Sequence, residues 1–150
     1  MTRLEAWFLH VATILVGGGG LVYAWMRYFV RPDDPFAVVN HPWQPDVQHL
    51  HVVAAPLLVF ALGLIWQSHV RASLRLGIAA RRRSGWALAA TAAPMVASGY
   101  LLQTATAPGW RQAWLALHLA ASTLWLGGYL AHQLSSRLSR RAPPARRPPR

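Results

Sequence analysis

The last apolar run of the chain reads WRQAWLALHLAASTLWLGGYLAHQL over residues 110–134, and its length predicts a membrane-spanning helix. A heptad stripe follows one face of this helix, because seven residues advance an α-helix by nearly two turns. His118 and His132 lie on the stripe fourteen residues apart, a rise of roughly 21 Å. One histidine therefore lies toward each surface of a hydrocarbon core about 30 Å thick. The whole stripe is Arg111, His118, Trp125, His132 and Ser139.

The composition indicates a membrane protein rather than a soluble one. Hydrophobic residues make up 54% of the chain and charged residues 13%, and the apolar residues form long runs. A net charge of +11 would suggest nucleic-acid binding in a soluble chain. Here the arginines follow the apolar runs, as they do at cytoplasmic membrane flanks, so we expect lipid contact and no nucleic-acid partner. The lack of cysteine excludes disulfides, thiolate metal sites and covalently attached haem.

Four apolar runs predict four transmembrane helices, at about residues 6–29, 47–68, 86–103 and 110–134. A cleaved signal peptide is the alternative for the first run, but that run is longer than a signal peptide's apolar region and carries His10. The loop 31–48 has four prolines, and with Phe36 and Trp43 it is expected at the membrane surface. Residues 1–135 form the predicted membrane domain, and 136–150 a disordered basic tail rich in arginine and proline.

The arginines also predict the orientation of these helices. With a cytoplasmic N-terminus, twelve arginines lie on the inner side and three on the outer side, which satisfies the positive-inside rule. The sequence therefore predicts an all-α, up-down-up-down bundle of four transmembrane helices with both termini in the cytoplasm.

In that orientation the histidines fall at two depths. His10 and His132 lie near the inner surface, and His118 lies near the outer surface with either His49 or His51. The last two are about 200° apart around a helix, so only one can face the same ligand. We favour His51, which lies deeper and has the small Ala55 one turn along its face, and we keep His49 as the alternate.

Histidines at two depths of a helical bundle are suited to haem. Low-spin haem iron takes two nitrogen ligands from opposite sides, and facing helices can supply them. We expect His51 with His118, and His10 with His132, to ligate the iron of two non-covalent b-type haems. Arg111 lies two turns outward from His118 and could pair with haem propionates. Trp125 is interpreted as core packing, with a spacer between the haems as the alternative.

Other interpretations of these histidines remain open. His69 lies near the headgroups and is the alternate to His10, whereas His41 is expected to be solvated in the proline-rich loop. Membrane helices also use polar side chains to bond to one another. A transporter or scaffold without a cofactor could use these imidazoles for proton relay or helix packing. Proton relays usually include a carboxylate within the span, and no Asp or Glu lies inside these runs.

The arrangement resembles the cytochrome b subunits of respiratory formate dehydrogenases and nickel-iron hydrogenases. It does so through His118 and His132 with their fourteen-residue spacing, through His10, and through the stretch QHLHVVAA at 48–55. The resemblance implies haem ligands on the first, second and fourth helices and a quinone partner at the inner haem. It also implies an electron-transfer subunit rather than a stand-alone enzyme, working in a bacterial inner membrane with a partner oxidoreductase subunit or a periplasmic cytochrome. The oligomeric state stays open.

Overall fold

Long helices make up most of the described chain. A computed structural model describes residues 2–32, 34–76 and 82–141, without the side chains of residues 74, 82, 83 and 136–141. Within those residues the chain is helical and contains no strand, which confirms the all-α prediction. The first helix consists of α1 (Arg3–Thr13), a π-helical segment (Ile14–Gly18) and α2 (Gly19–Tyr28). The second consists of α3 (Gln44–Ile65), a π-helical segment (Trp66–Arg71) and α4 (Ala72–Arg75), the third is α5 (Arg82–Thr104), and the fourth is α6 (Pro108–Arg141).

Three of these helices are long and apolar enough to cross a membrane, namely Arg3–Tyr28, Gln44–Arg71 and Ser84–Thr104. The fourth helix, Pro108–Arg141, is not among these three. The membrane character predicted from the sequence is therefore supported for the first three runs.

The helices extend beyond the predicted runs wherever the flanking residues can cap or continue them. The first helix begins at Arg3 because Thr2 and Glu5 form a capping box: the Thr2 amide donates to Glu5 Oε2 at 2.8 Å, and the Glu5 amide donates to Thr2 Oγ1 at 3.2 Å. The fourth helix continues to Arg141, since no proline interrupts it before Pro143. Residues 136–141, assigned to a disordered tail from the sequence, are therefore helical, and residues 142–150 lie outside the described part.

The first unit of the chain, Met1–Ile78, contains the first and second helices. Phe8 meets Phe60 edge to face with 5.8 Å between ring centroids, whereas Val16, further along the first helix, meets His51. Residues later in the first helix therefore meet residues earlier in the second, so the two helices are antiparallel. The connecting segment is tied back where Asn40 Nδ2 donates to the Arg27 carbonyl at 2.8 Å. The buried apolar residues of this unit are Leu9, Ala12, Val16, Met26, Ala54, Leu58 and Ala61.

The second unit, Ala79–Arg150, contains the third and fourth helices, which pack along each other. Gly128 lies against Leu88, and a Cβ on Gly128 would be in van der Waals contact with Leu88 Cδ2 at 3.4 Å. Trp125 stacks on Tyr129 with 5.5 Å between ring centroids and 11° between planes, and Trp125 is only 4% exposed. A buried, stacked indole is what core packing requires of Trp125.

One buried polar group stands out in the first unit. The Thr13 side chain is 3% exposed, and among the described residues its hydroxyl has no hydrogen-bond partner. Because an unsatisfied buried hydroxyl costs about 1–3 kcal/mol, the isosteric change Thr13→Val is expected to raise the free energy of unfolding by about 1 kcal/mol. Denaturant or thermal unfolding in detergent measures this, and Thr13→Ser, which keeps the hydroxyl, is the matched control. A destabilised Thr13→Val protein with an unaffected Thr13→Ser protein would show that the hydroxyl is satisfied.

Candidate functional site

His51 is seated in the glycine-rich part of the first helix. Its ring nitrogen Nδ1 lies 2.8 Å from the Val16 carbonyl oxygen. A carbonyl can only accept, so Nδ1 carries the proton and donates. A Cβ on Gly20 would lie 2.9 Å from His51 Cε1, so the ring occupies space that only a glycine leaves free. The glycine run 17–20, whose lack of side chains favours the close approach of a neighbouring helix, therefore receives a side chain of the second helix.

The accepting carbonyl belongs to the π-helical segment Ile14–Gly18 of the first helix. π-helical turns are rare in proteins as a whole, and those that occur are frequently found at functional sites. The sequence gives this segment poor helix formers, two of its five residues being glycine. The wide turn and the bond from the imidazole thus occur at the same place.

The surroundings of His118 in the second unit are equivalent, and we call such surroundings of an imidazole a histidine seat. Its Nδ1 lies 3.0 Å from the Met95 carbonyl oxygen and 3.4 Å from Ser98 Oγ, both on the third helix. A Cβ on Gly99 would lie 3.1 Å from His118 Cε1. On the other side of the ring, Ser122 Oγ lies 3.5 Å from Nε2, a distance that marks a weak contact.

The two seats share one pattern. In each unit a histidine of the later helix donates Nδ1–H to a carbonyl of the earlier helix, and a glycine four residues beyond that carbonyl accommodates the ring. The pattern consists of Val16, Gly20 and His51 in the first unit, and of Met95, Gly99 and His118 in the second. When Nδ1 of a neutral imidazole carries the proton, the lone pair lies on Nε2. This tautomer can bind a metal through Nε2.

His132 is held differently. Its Nδ1 lies 3.0 Å from Ser84 Oγ, near the start of the third helix. A hydroxyl can donate as well as accept, so this contact does not fix which ring nitrogen carries the proton. His118 and His132 are therefore both held by the third helix, but by groups of different chemistry.

The remaining histidines lie in other surroundings. His10 is half-buried in the first helix, edge to face with Trp7 at 6.2 Å between ring centroids. His49 is exposed, in contrast to His51, and His69 is exposed within the second π-helical segment. His41 accepts from the Trp43 amide at 3.1 Å in the connecting segment. Arg111 is exposed in the first turn of the fourth helix.

The third helix carries site residues that the sequence analysis did not identify. Ser84 and Ser98 are fourteen residues apart, the same spacing as His132 and His118, and in an antiparallel pair each serine meets one histidine. The matched spacing is visible in the sequence. It indicates that the third helix, which has no histidine of its own, supplies partners to the two histidines of the fourth helix.

Within residues 2–32, 34–76 and 82–141, no group of three or more His, Cys, Asp or Glu side chains is arranged to hold a bare metal ion. No known protein family, curated protein or solved structure matches this chain. The chemistry of the site is therefore argued from the chain's own residues.

Proposed function

We propose that this chain is a di-haem b-type membrane cytochrome, an electron-transfer subunit rather than a stand-alone enzyme. His51 and His118 would ligate an outer haem, and His10 and His132 an inner one. His49 and His69 remain the alternates for His51 and His10. When bound, each haem supplies a one-electron carrier.

The repeated seat of His51 and His118 is the observation that supports this proposal most. A ligand imidazole of a metal site usually donates its other N–H to a carbonyl or carboxylate, which fixes the tautomer and strengthens the ligand. Both outer histidines have this arrangement, at 2.8 and 3.0 Å. The contact of Ser122 with His118 Nε2 is long enough, at 3.5 Å, to be given up to a ligand. Each of these two imidazoles therefore has the hydrogen bonding that suits a haem ligand.

The remaining parts of the proposal follow from the arginine distribution and the family resemblance. The four helices would form an up-down-up-down bundle in a bacterial inner membrane with both termini in the cytoplasm. Arg111, exposed near the outer end of the fourth helix, would pair with haem propionates. Quinone near the inner haem and a partner oxidoreductase subunit or periplasmic cytochrome would exchange electrons with the chain.

The first experiment is a reduced-minus-oxidised absorption spectrum of the purified protein in detergent, with extracted haem quantified per chain. We expect sharp α and Soret bands and about two non-covalent haems. A folded protein that stays colourless when haem is supplied would overturn the proposal.

The pair His51 and His49 provides a matched test of the outer site. His51→Ala is expected to reduce the haem content by about one per chain, because it removes an iron ligand. His49→Ala, two residues away on the exposed face, should retain both haems. The pyridine haemochrome assay measures the difference. Equal haem content in the two variants would exclude His51 as a ligand, and loss confined to His49→Ala would assign the ligand to His49.

The second candidate function is a transporter or scaffold that binds no cofactor. The bonds from His51 to Val16 and between His132 and Ser84 each tie two helices together, which favours helix packing as their role. In that case His51→Ala would lower the free energy of unfolding of a protein that binds no haem. The absorption spectrum separates the two functions.

A further inference from the structure

We propose that six exposed tryptophans mark the two boundaries between hydrocarbon and water, so that each unit is a helical hairpin that crosses a phospholipid bilayer. The fourth helix then crosses beside the third. This inference rests on the four-helix membrane topology of the proposed function, but not on haem. The six are Trp7, Trp25, Trp43, Trp66, Trp86 and Trp110.

The exposure of these indoles indicates a lipid environment. Their exposed fractions lie between 45% and 68%, whereas Trp125, in the middle of the fourth helix, is 4% exposed. A large apolar ring left in water forgoes the free energy of burial. In the headgroup layer of a membrane the ring contacts acyl chains while its N–H bonds to water or phosphate, and tryptophan is enriched there for this reason.

Trp25 and Trp43 lie at the same end of the first unit. Val16 of the first helix meets His51 of the second at 2.8 Å. Trp25 follows Val16 by nine residues along the first helix, and the helices are antiparallel. Trp43 precedes His51 by eight residues along the second. The two indoles therefore lie level to within about one residue, or 1.5 Å of helical rise.

Trp7 and Trp66 lie at the opposite end of this unit. Glu5 and Ser68 are hydrogen-bonded through their side chains there, and each tryptophan lies two residues inward of one of them. Along the first helix, Trp7 and Trp25 are eighteen residues apart, a rise of roughly 27 Å. This length is close to the hydrocarbon thickness of about 30 Å.

In the second unit a contact between the helices gives the same thickness. Ser84 of the third helix meets His132 of the fourth at 3.0 Å. Trp86, two residues after Ser84, is therefore level with residue 130 of the antiparallel fourth helix. Trp110 lies twenty residues before that level, a distance of roughly 30 Å along the helix. The fourth helix thus spans a full hydrocarbon thickness beside the third.

The surfaces on either side of these levels also suit a phospholipid. Between Trp7 and Trp25 every exposed side chain of the first helix is apolar. Exposed arginines lie outward of three of the tryptophans, where a guanidinium can pair with lipid phosphate. They are Arg3, Arg27 and Arg71. An apolar band bordered by cationic groups matches acyl chains bordered by phosphates, so we assign this face to lipid.

The experiment uses the lack of cysteine in this chain, which leaves no background for single introduced thiols. Single-cysteine variants of the full-length protein are reconstituted in vesicles of phosphatidylcholine and phosphatidylglycerol. A small membrane-permeant maleimide is added, and its rate of reaction is followed by mass spectrometry. Two variants lie between the tryptophan levels, namely Ile14→Cys and Leu124→Cys. Three lie outside them, namely Leu4→Cys, Phe29→Cys and Thr106→Cys. All five native side chains are exposed, so the described part of the chain does not shield them.

The two variants between the levels should react more slowly than the three outside by about tenfold or more, because the reactive thiolate forms poorly in an apolar medium. Trp7→Cys and Trp25→Cys, at the levels themselves, should react at intermediate rates. All variants should react alike after denaturation in sodium dodecyl sulfate, which removes the bilayer.

Each comparison can overturn the inference. Leu124→Cys reacting as fast as Thr106→Cys would place the fourth helix outside the hydrocarbon, and Ile14→Cys reacting as fast as Leu4→Cys would do so for the first. Phe29→Cys as protected as Ile14→Cys would put the boundary beyond the tryptophans.

The remaining controls separate lipid from a protein partner and from haem. Protection should persist when added lipid lowers the density of protein in the membrane, and its loss on dilution would assign the face to a second copy of the chain. Reaction rates as expected in a protein that binds no haem would overturn the proposed cytochrome and support this inference.

Discussion

Replacing His118 with alanine is expected to remove one haem from each chain and to leave the other, and replacing His132 should do the reverse. In the proposed arrangement each histidine would supply one of the two nitrogen ligands of a haem iron, and the loss of one ligand would leave a site of low affinity. The two residues lie fourteen positions apart on the fourth helix and are held by different groups of the third, so each site should respond independently. Haem content per chain should fall from about two to about one in each variant.

The two single variants serve as each other's control. The remaining haem should differ between them in α-band position or midpoint potential, because the seats of His118 and His132 differ in hydrogen bonding. Circular dichroism should show unchanged helix content, and free imidazole should restore part of the lost low-spin spectrum by filling the space left by the side chain. Loss of both haems from either variant, with reduced helix content, would indicate a collapsed fold rather than a lost ligand.

The sequence predicted those parts of the site that depend on helical periodicity. The fourteen-residue spacing of His118 and His132 placed both on one face, and both do contact the third helix. The angle of about 200° between His49 and His51 required them to face in different directions, and the structure leaves His49 exposed while His51 meets the first helix. A periodic pattern identifies a face because backbone geometry alone determines it.

The partners on the neighbouring helices could not be predicted in the same way. Val16 and Met95 act through their carbonyl oxygens, which every residue has, so the side-chain pattern carries no sign of them. The π-helical segment Ile14–Gly18 could not be predicted either, because its glycines weaken an α-helix without indicating which helical form takes its place. Among the partners of the histidines, only the glycines and the two serines can be recognised in the sequence. Of these, the glycine run 17–20 itself indicates a close approach between helices, whereas the parts played by Gly99 and Ser84 become clear only from the structure.

Gly20→Ala is expected to disturb the outer site by displacing His51. The new Cβ would lie 2.9 Å from His51 Cε1, closer than such atoms pack. The ring cannot move away freely, because its Nδ1 is bonded to the Val16 carbonyl at 2.8 Å. Overpacking of this kind costs about 1–3 kcal/mol, and the better helix propensity of alanine returns at most about 1 kcal/mol. We therefore expect a lower free energy of unfolding and a reduced yield of the outer haem, measured by denaturation in detergent and by haem content per chain.

Gly18→Ala is the matched control, since it makes the same change in the same glycine run. A Cβ on Gly18 would meet nothing within 4 Å, so the gain in helix propensity should stand alone and raise stability by up to about 1 kcal/mol. Gly99→Ala, whose Cβ would lie 3.1 Å from His118 Cε1, should act like Gly20→Ala but more mildly. If Gly20→Ala and Gly18→Ala were equally stable and retained equal haem, the imidazole would not depend on the space that Gly20 leaves. If both Gly20→Ala and Gly99→Ala reduced the same haem and spared the other, the two seats would be shown to serve one outer site.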